Sequence, residues 1–356
     1  MSRLLEPLVV GDLQLPNRII MSPLTRARSN AERIPNDLMR EYYVQRASAG
    51  LIITEATIVS PMGAGYADTP GIWSAAQVEG WKPIVEAVHK AGGRIILQLW
   101  HVGRISDPVF LDGQTPVAPS AIRPAGHVSI LRPMKEYVTP RALSLEEVPR
   151  IVEQFHQGAV NAKLAGFDGV ELHGANGYLL DQFLQDGTNH RTDRYGGSLE
   201  NRARLMLEAT DAAISVWGSG RVGMHLAPRS DSHDISDSNR AATFTYVAKE
   251  LGQRKIAFIC AREYLSPDWL GPQLKTAFGG VYIANEKFTK ETAEQVINEG
   301  QADAVAFGKL FIANPDLPKR FASNAPLNTP RPETFYASGP EGYIDYPALA
   351  NVETRS

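Results

Sequence analysis

From about residue 19 to residue 320, short apolar runs alternate with longer segments of helical period. The runs cover residues 18–21, 50–54, 94–99, 169–172, 222–226, 255–260, 280–284 and 304–307. Each is continuous rather than alternating, as expected of a parallel strand buried on both faces. Between and after them, residues 36–49, 75–91, 144–165, 198–217, 239–251, 273–278, 290–298 and 312–321 carry a helical pattern. The sixth of these is the least regular, being broken near Gly271-Pro272. Eight strands each followed by a helix predict an α/β chain closed as one (β/α)8 (TIM) barrel, a single domain over residues 1–356. One long irregular stretch, residues 102–141, leaves the third strand, and loops of that length are usually functional. The Pro-rich tail, residues 326–356, is expected to wrap the outside. A doubly wound dinucleotide fold would need a Gly-x-Gly-x-x-Gly turn opening a helix. The nearest candidate, Gly63–Gly65, follows Ser60-Pro61 and opens none.

Composition narrows the function. Of 356 residues, 43% are hydrophobic and 21% charged, so the chain can bury a full core as an ordinary globular protein. A net charge of −3 without basic clusters argues against nucleic acid or an anionic membrane as partner. The single cysteine, Cys260, excludes an intrachain disulfide and a multi-cysteine metal site, and its apolar surroundings suit a packed strand residue. Neither a signal sequence nor a run of about 18 apolar residues is evident, so a cytoplasmic monomer or homodimer is expected.

Barrel chemistry sits where the strands end. Those ends read Ser22-Pro23-Leu24-Thr25-Arg26, Thr54-Glu55-Ala56, Gln98-Leu99-Trp100-His101 and Leu172-His173-Gly174-Ala175-Asn176-Gly177-Tyr178. Thr25, Gln98, Trp100, His173, Asn176 and Tyr178 therefore collect on one face that can hold a planar polar ligand. Singly, each could be a backbone cap or a satisfied core residue; together they describe a site. A metal-dependent hydrolase is disfavoured, because His101 and His173 lack further ligands at strand ends and no metal is expected.

The stretch from His173 to Tyr178, with Asp181-Gln182-Phe183-Leu184, resembles the substrate-site signature of the old yellow enzyme family. Further motifs follow in family order. They include Ala47-Ser48-Ala49-Gly50-Leu51-Ile52, Gly103-Arg104, Thr188-Asn189-His190-Arg191, Tyr195-Gly196-Gly197-Ser198-Leu199-Glu200-Asn201-Arg202, Ala306-Phe307-Gly308, Ala313-Asn314-Pro315-Asp316-Leu317 and Glu341-Gly342-Tyr343-Ile344-Asp345-Tyr346-Pro347. The resemblance implies an FMN enzyme that takes hydride from NADPH or NADH and passes it to the β-carbon of an electrophilic alkene, an unsaturated carbonyl or nitro compound. His173 and Asn176 would hold the substrate oxygen in the manner of an oxyanion hole, and Tyr178 would donate the proton. FMN would lie against Pro23, Leu24, Thr25, Ala56 and Gln98, with its phosphate at Asn285, Gly308 and Lys309. Tyr66, Trp100 and Tyr336 would wall the substrate cavity. Residues 191–204 read as structural: a Gly196-Gly197 turn, Ser198 as N-cap and Glu200 in the first helical turn. Nitrate-ester or nitroaromatic reduction would use the same pocket, and a flavin-binding barrel with impaired turnover is the alternative of another class.

The fifth strand departs from the pattern. It reads Val222-Gly223-Met224-His225-Leu226, whereas the family usually has Arg at the position of His225, beside flavin N1 and O2, where it stabilises the charge of reduced flavin. Imidazole gives less stabilisation than a permanent guanidinium, and Arg229 is expected to lie beyond reach. Replacing His225 with Arg should therefore tighten flavin retention or raise the flavin potential. Dialysis and redox titration of the variant that match the unmodified protein would overturn this.

Overall fold

The computed structural model describes residues 2–229 and 231–349. Its barrel strands are β1 Ile19–Met21, β2 Leu51–Ile53, β3 Ile95–Trp100, β4 Val170–Gly174, β5 Val222–Leu226, β6 Phe258–Arg262, β7 Val281–Asn285 and β8 Ala304–Phe307. Every neighbouring pair is parallel, and β8 pairs with β1 to close the ring. The surrounding helices are α1 Asp37–Val44, α2 Ala75–Lys90, α3 Val148–Leu164, α4 Leu199–Trp217, α5 Arg240–Gln253, α6 Gly271–Phe278, α7 Lys290–Asn298 and α8 Leu317–Ser323. The predicted single-domain (β/α)8 barrel is the fold observed.

Alternation along each strand sorts side chains between two cores. Val170 and Leu172 of β4, with Val222, Met224 and Leu226 of β5, pack outward against the helices. Inside the ring, Ile20, Ile53, Ile96, Phe258, Cys260 and Ile283 form a separate apolar plug. That plug is closed from below by a hairpin absent from the sequence prediction, Leu8–Val10 paired with Leu13–Leu15. Its two strands of three residues are too short for a periodic signal, and Gly11 supplies the positive φ of the turn. Cys260 is a fully buried strand residue in this plug, as expected.

Other differences have local causes. Gly271-Pro272 opens α6 rather than breaking it, because proline in the first turn gives up an N–H that has no helical partner there. The predicted last helix is two pieces, Lys309–Ala313 and α8, since Asn314 precedes Pro315 and is held out of helical geometry at φ −128°, ψ 88°. The tail does not simply wrap the exterior. Arg26 donates to the carbonyls of Phe335 and Gly342, and Arg28 to those of Phe335, Gly339, Thr334 and Glu341. These bonds pull residues 334–342 onto the face where the strands end. The predicted tail beyond residue 349 lies outside the described residues.

Gly223 faces inward at the height of Phe258, and a Cβ there would stand 2.2 Å from the ring's Cζ. The Phe258 ring sits inside the closed plug and has nowhere to retreat. Gly223→Ala should cost about 1–3 kcal/mol by overpacking, read as a lower urea midpoint with an unchanged m-value.

Candidate active site

At the carboxyl ends of the strands lies a cavity of about 440 Å³. Pro23, Leu24, Thr25, Ala56, Gln98, His173, Asn176, Tyr178, His225, Asn285, Gly308, Lys309 and Tyr336 all line it, so thirteen of the fifteen predicted site residues meet in one space. The two that do not are Tyr66 and Trp100. Both are buried in the layer behind Tyr178: Trp100 stacks on Tyr66 with centroids 5.4 Å apart and meets Tyr178 edge-on at 5.0 Å. They support the wall rather than form it.

Strand register explains the convergence. His225 of β5 is the Cα partner of His173 of β4, and Gln98 of β3 is the partner of Glu171. Glu171 and His173, two residues apart, both point into the barrel. Beyond β4, Asn176 and Gly177 adopt positive φ (59° and 75°), a conformation asparagine and glycine tolerate best. This turn drops the chain into a short helix, Leu179–Leu184, with Tyr178 at its N-cap and aimed at the cavity. Asp181 fixes the turn by accepting from the Gly177 N–H at 2.9 Å and from Gln185 Nε2 at 2.7 Å.

The floor contains a group the sequence prediction missed. Glu171 is fully buried and accepts a 2.7 Å hydrogen bond from Gln98 Nε2. A carboxylate can only accept, so Gln98 presents its amide nitrogen downward and leaves its oxygen for the cavity. Glu171 Oε1 also stands 3.3 Å from His225 Nδ1, and Cys260 lies beside them, the three candidate ligand atoms falling within 4.8 Å of one another. Arg229 turns away to Asp268 and Glu263 and is not among the lining residues, as expected.

Burial tunes the titratable residues. His173 is pushed well below the ordinary histidine range, chiefly by desolvation and further by His225, His233 and Arg262, so it is neutral at pH 7. A neutral imidazole offers one donor nitrogen, and His173 Nδ1 has no partner among the described residues. Burial also raises Tyr178 well above its usual value, with Tyr66 adding to the effect; their hydroxyls are 2.8 Å apart. The phenol therefore keeps its proton until a strong base arrives. At the far end, Lys309 supplies a cation next to Gly308, while Asn285 Nδ2 donates to Ser22 Oγ and to the Ala306 carbonyl.

The chain matches the NADH:flavin oxidoreductase / NADH oxidase family over residues 3–328. It belongs to this family, that of the old yellow enzymes. Morphinone reductase, solved in complex with tetrahydroNAD, is 49% identical, with a TM-score of 0.95 and 99% of each chain covered. An old yellow enzyme homologue from Zymomonas mobilis is 44% identical at a TM-score of 0.95, over 97% of this chain and 99% of the other. Among curated relatives, 12-oxophytodienoate reductase 1 of Oryza sativa subsp. japonica is 42% identical over 369 residues, covering 99% of this chain and 95% of its own. The protein is thus an FMN-dependent oxidoreductase of the old yellow enzyme family.

Within this old yellow enzyme barrel, Arg262, Glu286, Lys287, Phe288 and Phe335 also line the cavity and were not anticipated. Reading two residues past the apolar run 255–260 would have found Arg262, and two past Asn285 would have found Glu286 and Lys287. Phe335 is brought in by the tail and carries no local signal. The turn and cap read within residues 191–204 are present: Gly197 turns at φ 78°, and the Ser198 hydroxyl accepts from the Asn201 N–H to cap α4.

The carboxyl of Asp181 is raised from 3.8 to about 7 by burial, against the two hydrogen bonds it accepts. Between those values the folded protein binds a proton that the unfolded chain has released. Its stabilising contribution is complete below about pH 3.8 and is lost as pH rises through 7. Asp181→Asn, which keeps an acceptor for Gly177, should flatten the fall in stability from pH 4 to 7 in denaturant titrations. An unchanged slope would show that this carboxyl titrates normally.

Proposed function

We propose that this protein is an ene reductase: it takes hydride from NADPH or NADH onto FMN and reduces the C=C bond of α,β-unsaturated carbonyl or nitro compounds. The observation that carries the reading is the meeting of His173, Asn176 and Tyr178 on one wall of the cavity whose floor is Gln98 and His225. The residues present fit FMN. One buried imidazole nitrogen of a lining side chain, His173 Nδ1, lacks a hydrogen-bond partner among the described residues, while His225, which also lines the cavity, has its Nδ1 3.3 Å from Glu171 Oε1. Thr25, Gln98 and Asn285 supply polar groups along the cavity, and Gly308 and Lys309 suit the phosphate end.

When bound, FMN supplies the hydride. The protein's part is orientation and electrostatics. His173 and Asn176 direct N–H groups at the substrate oxygen, where negative charge grows as the β-carbon is reduced. The Tyr178 hydroxyl, still protonated at neutral pH, delivers its proton to the α-carbon. Buried Trp100 and Tyr66 hold that phenol from behind. Relatives of this barrel include morphinone reductase solved in complex with tetrahydroNAD, which supports a nicotinamide nucleotide as the reductant.

The test is an absorbance spectrum of the purified protein, followed by anaerobic NADPH and then 2-cyclohexenone. A yellow protein that bleaches and regains its colour carries out both half-reactions. Bleaching without recovery on enone, but with recovery on a nitrate ester or nitroaromatic, moves the substrate class. Protein that stays yellow throughout is a flavin binder with impaired turnover, and His225 is then the first residue to restore.

A further inference from the structure

A primary amide offers oxygen on one side and nitrogen on the other, and which side faces a ligand decides what the ligand can be. At Asn176 a neighbour decides it. Arg262, the last residue of β6, also lines the cavity and donates from Nη1 to Asn176 Oδ1 at 3.1 Å. Guanidinium has five N–H donors and no acceptor, so the atom of Asn176 that meets it has to be oxygen. The planar amide then keeps Nδ2 on the side away from the guanidinium, as the donor that Asn176, a cavity-lining residue, can offer a ligand.

Arg262 is itself held from two sides. Its Nη1 also meets Asp231 Oδ1 at 2.8 Å and Ser232 Oγ at 3.2 Å, while Nη2 donates to Glu286 Oε1 at 3.2 Å. Two carboxylates flank one guanidinium, so the group is not a free cation awaiting an anionic substrate; it is braced. The Asn176 backbone is braced as well, because His233 Nδ1 donates to its carbonyl at 2.6 Å. Main chain and side chain of this residue are therefore fixed by different partners, and the side-chain partner alone sets which way the amide points.

We propose that Arg262 is a positioning residue: it locks the Asn176 amide as a hydrogen-bond donor and so makes the site select a substrate that presents an acceptor oxygen. This rests on the reading of Asn176 as a substrate-oxygen donor. Without Arg262 the amide is free to rotate, and its Oδ1 then meets a carbonyl or nitro oxygen with repulsion. Removing a single oxyanion donor commonly costs about 100- to 1000-fold in turnover, and an amide that flips part of the time should lose somewhat less.

The experiment is a double-mutant cycle on the FMN-loaded enzyme with 2-cyclohexenone, using N176A, R262M, R262Q and N176A/R262M. The flavin spectrum and Tm of each variant confirm folding and loading. R262M should lower kcat/KM about tenfold or more, and the double variant should be no slower than N176A alone, because Arg262 acts through Asn176. R262Q, uncharged but still able to donate to Oδ1, should recover much of the loss. If N176A is slow but R262M is as active as the unmodified enzyme, or its effect adds fully to that of N176A, the assignment of Arg262 is overturned. So it is if R262Q is no better than R262M, which would make the charge the active feature. If N176A itself turns over normally, the donor role of Asn176 fails first and takes the proposal with it.

Discussion

Closure of eight parallel strands into one ring is the constraint from which the rest follows. Parallel strands need both faces covered, and a closed ring has one face inward and one outward. Side chains alternate between them, so each strand feeds the helix-facing core and the barrel interior in turn. The interior is filled below by Phe258, Cys260 and Ile283 and sealed by the Leu8–Leu15 hairpin. Above the plug the same inward positions become Gln98, Glu171, His173 and His225. The site is thus the continuation of the core in polar residues, and its geometry inherits the rigidity of the ring.

Polar groups in that upper layer are oriented by partners that can play only one role. Glu171 accepts, so Gln98 Nε2 turns down to it at 2.7 Å. Arg262 donates, so Asn176 turns its Oδ1 to it. The charged residues stand behind or beside the ligand space, and the amides that face a ligand are set by them. Such partners fix orientation without moving parts, which suits a reaction in which charge appears at one oxygen and must be met at once. Desolvation works in the same direction, leaving His173 neutral and Tyr178 protonated.

Much of this was legible along the chain. All eight strands appear as short, largely apolar runs, because burial on both faces leaves few polar positions beyond the inward Gln98, Glu171, His173 and His225. Caps were readable too, as with Ser198 at α4, since capping chemistry is local. The motif from His173 to Tyr178 was legible because one strand end and one tight turn hold it. Long-range features were not. The hairpin strands are too short to show a period, and Phe335 lines the cavity only because Arg26 and Arg28 bind the tail's carbonyls across about 300 residues of chain. Trp100, correctly placed at a strand end, proved to lie behind the cavity wall, where Tyr66 stacks on it and Tyr178 meets it edge-on.

The sequence by itself determined which residues occur at the strand ends, because strand positions depend on a pattern that neighbours in the chain carry. The family followed from the order of its motifs along that same chain. Only the tertiary structure decided which atoms face the ligand. Whether Asn176 offers nitrogen or oxygen depends on Arg262, which lies 86 positions away. Whether Gln98 does so depends on Glu171, 73 positions away. Hydrogen-bond direction is a property of pairs in space, and barrel closure is what makes those pairs neighbours.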